Sequence, residues 1–257
     1  YRDTSLIILH GPSGSGKTSL IQCGLLNRLR IDVDAIISIR RNENIVNSFA
    51  ETVFGIVPET GTDSQKLLFT YLKLVEKYNH NLKEIDTLDD IVVTLEEEVS
   101  THKQEQYYYQ KKQPEKETGN SLKKETIAGA IEAKEAEINK ILSQKHDLQK
   151  GFKEDESTIT SALAGLKEYF QKLFKHVGAA PLVIFDQFEE LFVYGSHEEI
   201  NRFGLILKFI FENNVPINII ISLREEYFGH LDLLQAYIPN IFYKKIRLSH
   251  PNRDTVE

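Results

Sequence analysis

Gly11-Pro-Ser-Gly-Ser-Gly-Lys-Thr18 is the stretch on which the fold turns. It follows Leu6-Ile-Ile-Leu9, a short apolar run suited to a buried parallel strand. It precedes a run in which Leu20, Ile21, Leu25 and Leu29 cluster on one side of a helix. A glycine-rich loop between strand and helix, closed by Gly-Lys-Thr, has the pattern of a phosphate-binding loop in the context that confirms it. The reason is geometric. Glycines let successive backbone N–H groups approach phosphate oxygens, and the following helix start adds a favourable dipole. Gly11, Pro12, Ser13, Gly14, Ser15, Gly16, Lys17, Thr18 and Ser19 are therefore the expected nucleotide-binding residues. Lys17 is expected at the β- and γ-phosphates and Thr18 at a magnesium ion.

Working outward, strands and helices alternate. Ala35 to Ile39 reads as a second strand, ending at Arg40 and Arg41, and Ile45 to Phe54 as a helix closed by Gly55. After a long charged middle come a helix with Ile159, Leu163, Leu166, Phe170 and Leu173, and then the strand Pro181 to Asp186. An amphipathic helix, Asn201 to Phe211, leads to the strand Ile217 to Leu223, ending at Arg224. Phe242 to Leu248 alternates like an edge strand. The expectation is an α/β fold, a P-loop NTPase with a five-stranded, mostly parallel sheet flanked by helices.

The middle predicts a helical insertion. Residues 1–57 and 157–257 are read as two halves of one core, and 58–156 as an inserted helical hairpin or coiled coil. Ser64 is expected to cap a helix carrying Leu67, Leu68, Tyr71, Leu72, Val75 and Tyr78. Tyr107 to Asn120 reads as a solvated tip. Ile127, Ile131, Ile138, Ile141 and Leu148 fall on steps of three and four if Lys134 and Lys145 fill the gaps. That seam, a helix extending roughly 40 Å, is expected to form one arm.

The second chemical motif is Asp186-Gln-Phe-Glu-Glu190. An aspartate ending an apolar strand is the expected second magnesium residue, and Glu189 or Glu190 is expected to polarise an attacking water. Gln187 stands where related ATPases often have a glutamate; it can orient water without taking its proton. Arg224, ending the neighbouring strand, is expected to meet the γ-phosphate, since ligands gather at the carboxyl ends of such strands.

Composition narrows the rest. The chain has 257 residues, a formal charge of −7 and one cysteine, Cys23, which excludes an internal disulfide and fits a reducing, cytoplasmic setting. Cys23 itself is expected to be a packed small residue. No stretch has the roughly 20 apolar residues of a membrane span, and no basic helix points to nucleic acid. The eight histidines show no metal-ligand spacing. There is no methionine, and the chain opens at Tyr1 and closes beyond an expected strand, which reads as a piece of a longer protein.

Gly11 to Leu26 resembles the start of the STAND signalling ATPases, in particular the novel STAND group. Leu182-Val-Ile-Phe-Asp-Gln-Phe-Glu-Glu-Leu-Phe192 is the more specific likeness, because Asp-Gln-Phe-Glu-Glu at this position is a hallmark of that group. Ser222 to Phe228 resembles its sensor strand, with Arg224 as the sensor arginine; Ile39 to Ile45 and Leu248 to Pro251 fit more loosely. The likeness covers about Thr4 to Ile56 and Ser157 to Pro251, and leaves out the helical insertion.

The resemblance implies a switch: an ATPase, using ATP or dATP with magnesium, set between an effector and a sensor. A trigger recognised by the sensor would allow nucleotide exchange and homo-oligomerisation, and slow hydrolysis would reset the state. Many such proteins serve prokaryotic antiviral defence and resemble innate immune receptors in logic. Rival readings are a non-hydrolysing nucleotide-bound scaffold, a DNA-dependent ATPase and a small-molecule kinase. A chromosome-maintenance-type ATPase is excluded, because Lys175 to Pro181 lacks the Leu-Ser-Gly-Gly signature that class needs before this strand.

Overall fold

The structure is a computed structural model that describes residues 5–25, 36–111 and 118–250. Leu29, Ala35 and Pro251, named above, lie outside the described residues, as do the expected tip residues 112–117. The chain divides into two compact units, residues 1–72 with 161–257, and residues 73–160.

The first unit is built on five strands: β1 (Ser5–Gly11), β2 (Ile36–Ile39), β3 (Leu182–Phe185), β4 (Asn218–Arg224) and β5 (Lys245–Arg247). Their spatial order is β2-β3-β4-β1-β5. Every pairing is parallel, so the sheet is wholly rather than mostly parallel. Parallel neighbours need crossovers, and the apolar, β-branched runs suit strands covered on both faces. All four β3 residues are buried. One face packs Leu9, Ile21, Leu182, Ile184 and Ile220. Elsewhere in the core, Phe185 stacks against Phe49 and meets Phe203 edge-on at 5.0 Å.

Register decides where the chemistry falls. Gly11 is opposite Arg224 across β1 and β4, and Ile39 is opposite Phe185 across β2 and β3. The carboxyl ends of four strands therefore deliver Gly11, Arg40, Asp186 and Arg224 to one rim.

The helices are α1 (Lys17–Ser19), α2 (Ile45–Phe54), α3 (Pro58–Lys111), α4 (Thr118–Val177), α5 (Glu189–Tyr194) and α6 (His197–Glu212). Several expectations are corrected. α3 starts at Pro58, where a proline suits a first helical turn, and Ser64 is a buried residue inside it rather than a cap. Tyr107 to Lys111 are still helical, which shortens the expected tip. β5 has three residues instead of seven, all exposed, because it pairs only along Ile8 to His10 before β1 turns into the loop. After α1 the helix widens to a π-helical stretch, Leu20–Leu25. At its start Leu20 is 43% exposed, while Ile21 packs inward. Cys23 is exposed rather than packed.

In the second unit α3 and α4 run antiparallel, as the cross-links Lys77–Asp155 (2.8 Å) and Lys103–Glu135 (2.7 Å) require. Val92, Leu95 and Ile141 form its apolar centre, flanked by Leu88 and Ile138. The two lysines that break the expected seam are cross-helix ion pairs, Lys134 with Glu98 and Lys145 with Asp89. The matching stripe on α3 is Ile85, Leu88, Val92, Leu95 and Val99.

Candidate functional site

The loop after β1 owes its shape to glycine. Gly14 (φ 76°) and Gly16 (φ 84°) are left-handed, a conformation costly to side-chain residues. At Gly11 the constraint is space: a Cβ would lie 2.3 Å from the Leu248 carbonyl oxygen. Lys17 arches back over the loop, its Nζ donating to the carbonyls of Gly11 (2.7 Å) and Pro12 (2.9 Å). Ser15, buried, places its Oγ 3.4 Å from the same nitrogen. Burial pushes the Lys17 ammonium below the usual lysine range, with Glu189, Glu226 and Asp186 pulling the other way against Arg224.

β3 delivers Asp186, 5% exposed, whose backbone N–H donates to Ile39 at 3.0 Å. Thr18 Oγ1 reaches both of its carboxylate oxygens, at 3.3 and 3.2 Å. The next residue, Gln187, is left-handed (φ 56°), an uncommon conformation for a side-chain residue, and turns the chain into α5. Phe188 N then donates to the Ser222 carbonyl at 2.9 Å, tying this turn to β4.

That turn separates the two glutamates. Glu189 is 8% exposed and accepts from Arg224 twice, from Nε to Oε1 at 3.1 Å and from the backbone N–H to Oε2 at 3.2 Å. Glu190 is half-buried. A cavity of about 310 Å³ is lined by Ser13, Gly14, Gly16, Lys17, Thr18, Ser19, Asp186, Gln187, Glu189, Ser222 and Arg224. Its size falls within the range of small-molecule sites. Of the residues expected from sequence, Gly11, Pro12 and Ser15 form the seat of Lys17 rather than the cavity wall, and Glu190 stays outside it.

Three residues were missed or undervalued. Ser222 is almost fully buried beside the cavity; its signal was one hydroxyl in the apolar run Ile219-Ile-Ile-Ser-Leu223. Arg40 pairs with Asp186 Oδ2 at 3.3 Å. Arg41, its neighbour, does something different: it pairs with buried Glu199 at 2.7 Å and donates to the Tyr194 carbonyl. Glu199 also accepts from Ile45 N at 2.7 Å, so this pair ties β2, α2 and α6 together.

Among the described residues no group of three or more His, Cys, Asp or Glu could hold a metal ion alone. Thr18 and Asp186 instead present adjoining hard oxygens at the cavity wall. Such a donor set fits a magnesium ion that takes most of its ligands from phosphates and water. No described helix is long and apolar enough to cross a membrane.

Searches of curated proteins and of solved structures each returned no match. The family profile described as Novel STAND NTPase 1 matches residues 1–256. With the glycine-rich loop, the parallel sheet and the acidic strand end in place, the chain belongs to the Novel STAND NTPase 1 family, a family of nucleoside triphosphatases.

Proposed function

We propose that this chain is the ATPase switch of a signalling protein, which binds Mg–ATP, assembles in the nucleotide-bound state and is reset by slow hydrolysis. The observation that carries the reading is the convergence of the phosphate loop, the Thr18–Asp186 pair and the Glu189–Arg224 pair on one cavity.

In this reading the loop N–H groups from Ser13 to Ser19 hold the phosphate chain, and Lys17 leaves the Gly11 and Pro12 carbonyls for the β- and γ-phosphates. Thr18 and Asp186 hold the magnesium ion, which supplies charge neutralisation on the phosphates. Glu189, rather than Glu190, faces the cavity and takes the proton from water, with Gln187 orienting that water. Arg224 answers to the γ-phosphate. Because its Nε also holds Glu189 Oε1, that oxygen stays engaged until the Arg224 side chain turns to the nucleotide, while the Arg224 backbone N–H keeps Oε2 in place. That coupling accounts for slow turnover. It also favours the second reading, a nucleotide-bound scaffold in which Glu189 is never released.

The signalling side of the proposal, meaning trigger, effector and homo-oligomer, rests on the resemblance described above. The test is ATP turnover measured alongside particle size on the full chain, wild type against Asp186→Ala. Slow turnover with ATP-dependent assembly lost in the variant supports the switch. Assembly without turnover selects the scaffold. Fast turnover by a monomer indifferent to nucleotide overturns both.

A further inference from the structure

We propose that Arg40 is a built-in counter-cation for Asp186, competing with the divalent metal for that carboxylate and so setting how much metal the site requires. The proposal rests on the reading that Asp186 meets the metal, and adds a residue that reading does not use.

The parallel register of β2 and β3 places Ile39 opposite Phe185, so Arg40 and Asp186 leave the sheet side by side. Arg40 Nη2 stands 3.3 Å from Asp186 Oδ2, the oxygen that also takes the Thr18 hydroxyl at 3.2 Å. The arginine therefore holds the oxygen that Thr18 shares. A metal ion drawing on the same oxygen meets a like charge already there, and the two cations contend for one carboxylate.

Arg40 is suited to give way. Its side chain is 48% exposed, and 3.3 Å is longer than the roughly 2.7–2.9 Å of a tight charge-assisted pair. Arg41 shows the contrast: it is mostly buried and pairs with Glu199 at 2.7 Å. Adjacent arginines thus divide the work, one a fixed clamp and the other a loose, displaceable cation. With Arg40 in place, the nearly buried Asp186 keeps a compensated charge in the absence of metal, which an uncompensated carboxylate in that position would lack.

The test is Mn²⁺ binding followed by electron paramagnetic resonance on the full chain, with a saturating non-hydrolysable ATP analogue. Arg40→Gln should bind Mn²⁺ about threefold tighter, within the range an exposed ion pair contributes. Arg40→Lys, which keeps a cation, should stay near wild type. Tightened binding is a gain that misfolding does not produce. Unchanged or weaker Mn²⁺ binding in Arg40→Gln overturns the proposal. Asp186→Asn separates the two levels of failure. If it weakens Mn²⁺ binding while Arg40→Gln changes nothing, only the role of Arg40 falls. If Asp186→Asn also leaves Mn²⁺ binding unchanged, the metal reading falls with it.

Discussion

Replacing Glu199 with alanine should destabilise the fold although Glu199 does not line the cavity. Glu199 is buried, pairs with Arg41 at 2.7 Å and accepts from Ile45 N at 2.7 Å at the start of α2. Glu199→Ala strands a mostly buried guanidinium and an unpaired helix N–H together. Breaking a buried pair from one side costs about 3–5 kcal/mol. Arg41 retains the Tyr194 carbonyl, and its Nε has no hydrogen-bond partner among the described residues, so the lower end applies, about 3 kcal/mol. At roughly 2–4 °C per kcal/mol for a domain of this size, the melting temperature should fall by about 6–12 °C. Thermal unfolding of the full chain by circular dichroism measures it. Glu199→Gln, which keeps the acceptor for Ile45 N and loses only the charge, should fall about half as far. The double variant Arg41→Met with Glu199→Leu should recover the part of the loss that comes from the stranded guanidinium, leaving the cost of the unpaired Ile45 N–H. A drop below about 2 °C for Glu199→Ala would refute the argument that this pair clamps β2 to the helices.

Lys17→Ala should weaken ATP binding about 10- to 100-fold by calorimetry, the contribution of hydrogen bonds from a cation to phosphate; affinity equal to wild type would contradict the site. Glu189→Gln should lower turnover at least about 100-fold with binding nearly unchanged, whereas Glu190→Gln should stay within about threefold; the reverse ranking in steady-state kinetics would move the general base to Glu190. His10 is buried against Phe228 at 4.4 Å, and that burial holds its imidazole below the ordinary 6.5. Because the unfolded chain takes up this proton first, stability is fully present above about 6.5 and is lost as pH falls through the window beneath it. A His10→Leu variant should flatten that acid slope in melting temperatures taken between about pH 5 and 7.5, and an unaltered slope would exclude His10 as its source.

The local geometry that depends on a few consecutive residues was legible without coordinates. Gly11 to Thr18 carries its own backbone requirement, since glycines at left-handed positions and a lysine reaching back over them are local facts. Asp186 announced itself as an acid ending an apolar run, and the arrangement of strands and helices followed from periodicity. The lysines at 134 and 145 looked like defects in a seam because their acids, Glu98 and Asp89, are far away in sequence. The stripe from Ile85 to Val99 was hidden among acids for a related reason: a thin seam of one apolar residue every three or four has little contrast until a partner helix lies against it.

What the sequence by itself determined was the set of side chains available to the site and the order of elements presenting them. Which glutamate faces the cavity, and which of two adjacent arginines meets Asp186, was decided only by the tertiary structure. Glu189 and Glu190 are equivalent as residue types, and the left-handed Gln187 together with the Phe188–Ser222 hydrogen bond sets the helical phase that turns one inward. Arg40 and Arg41 likewise part company because the β2–β3 register puts the first beside Asp186 and Glu199 on α6 captures the second. Both outcomes depend on pairing between segments distant in sequence, more than thirty residues for the glutamates and more than a hundred for the arginines. Local propensity carries no information about that distance, and backbone register does.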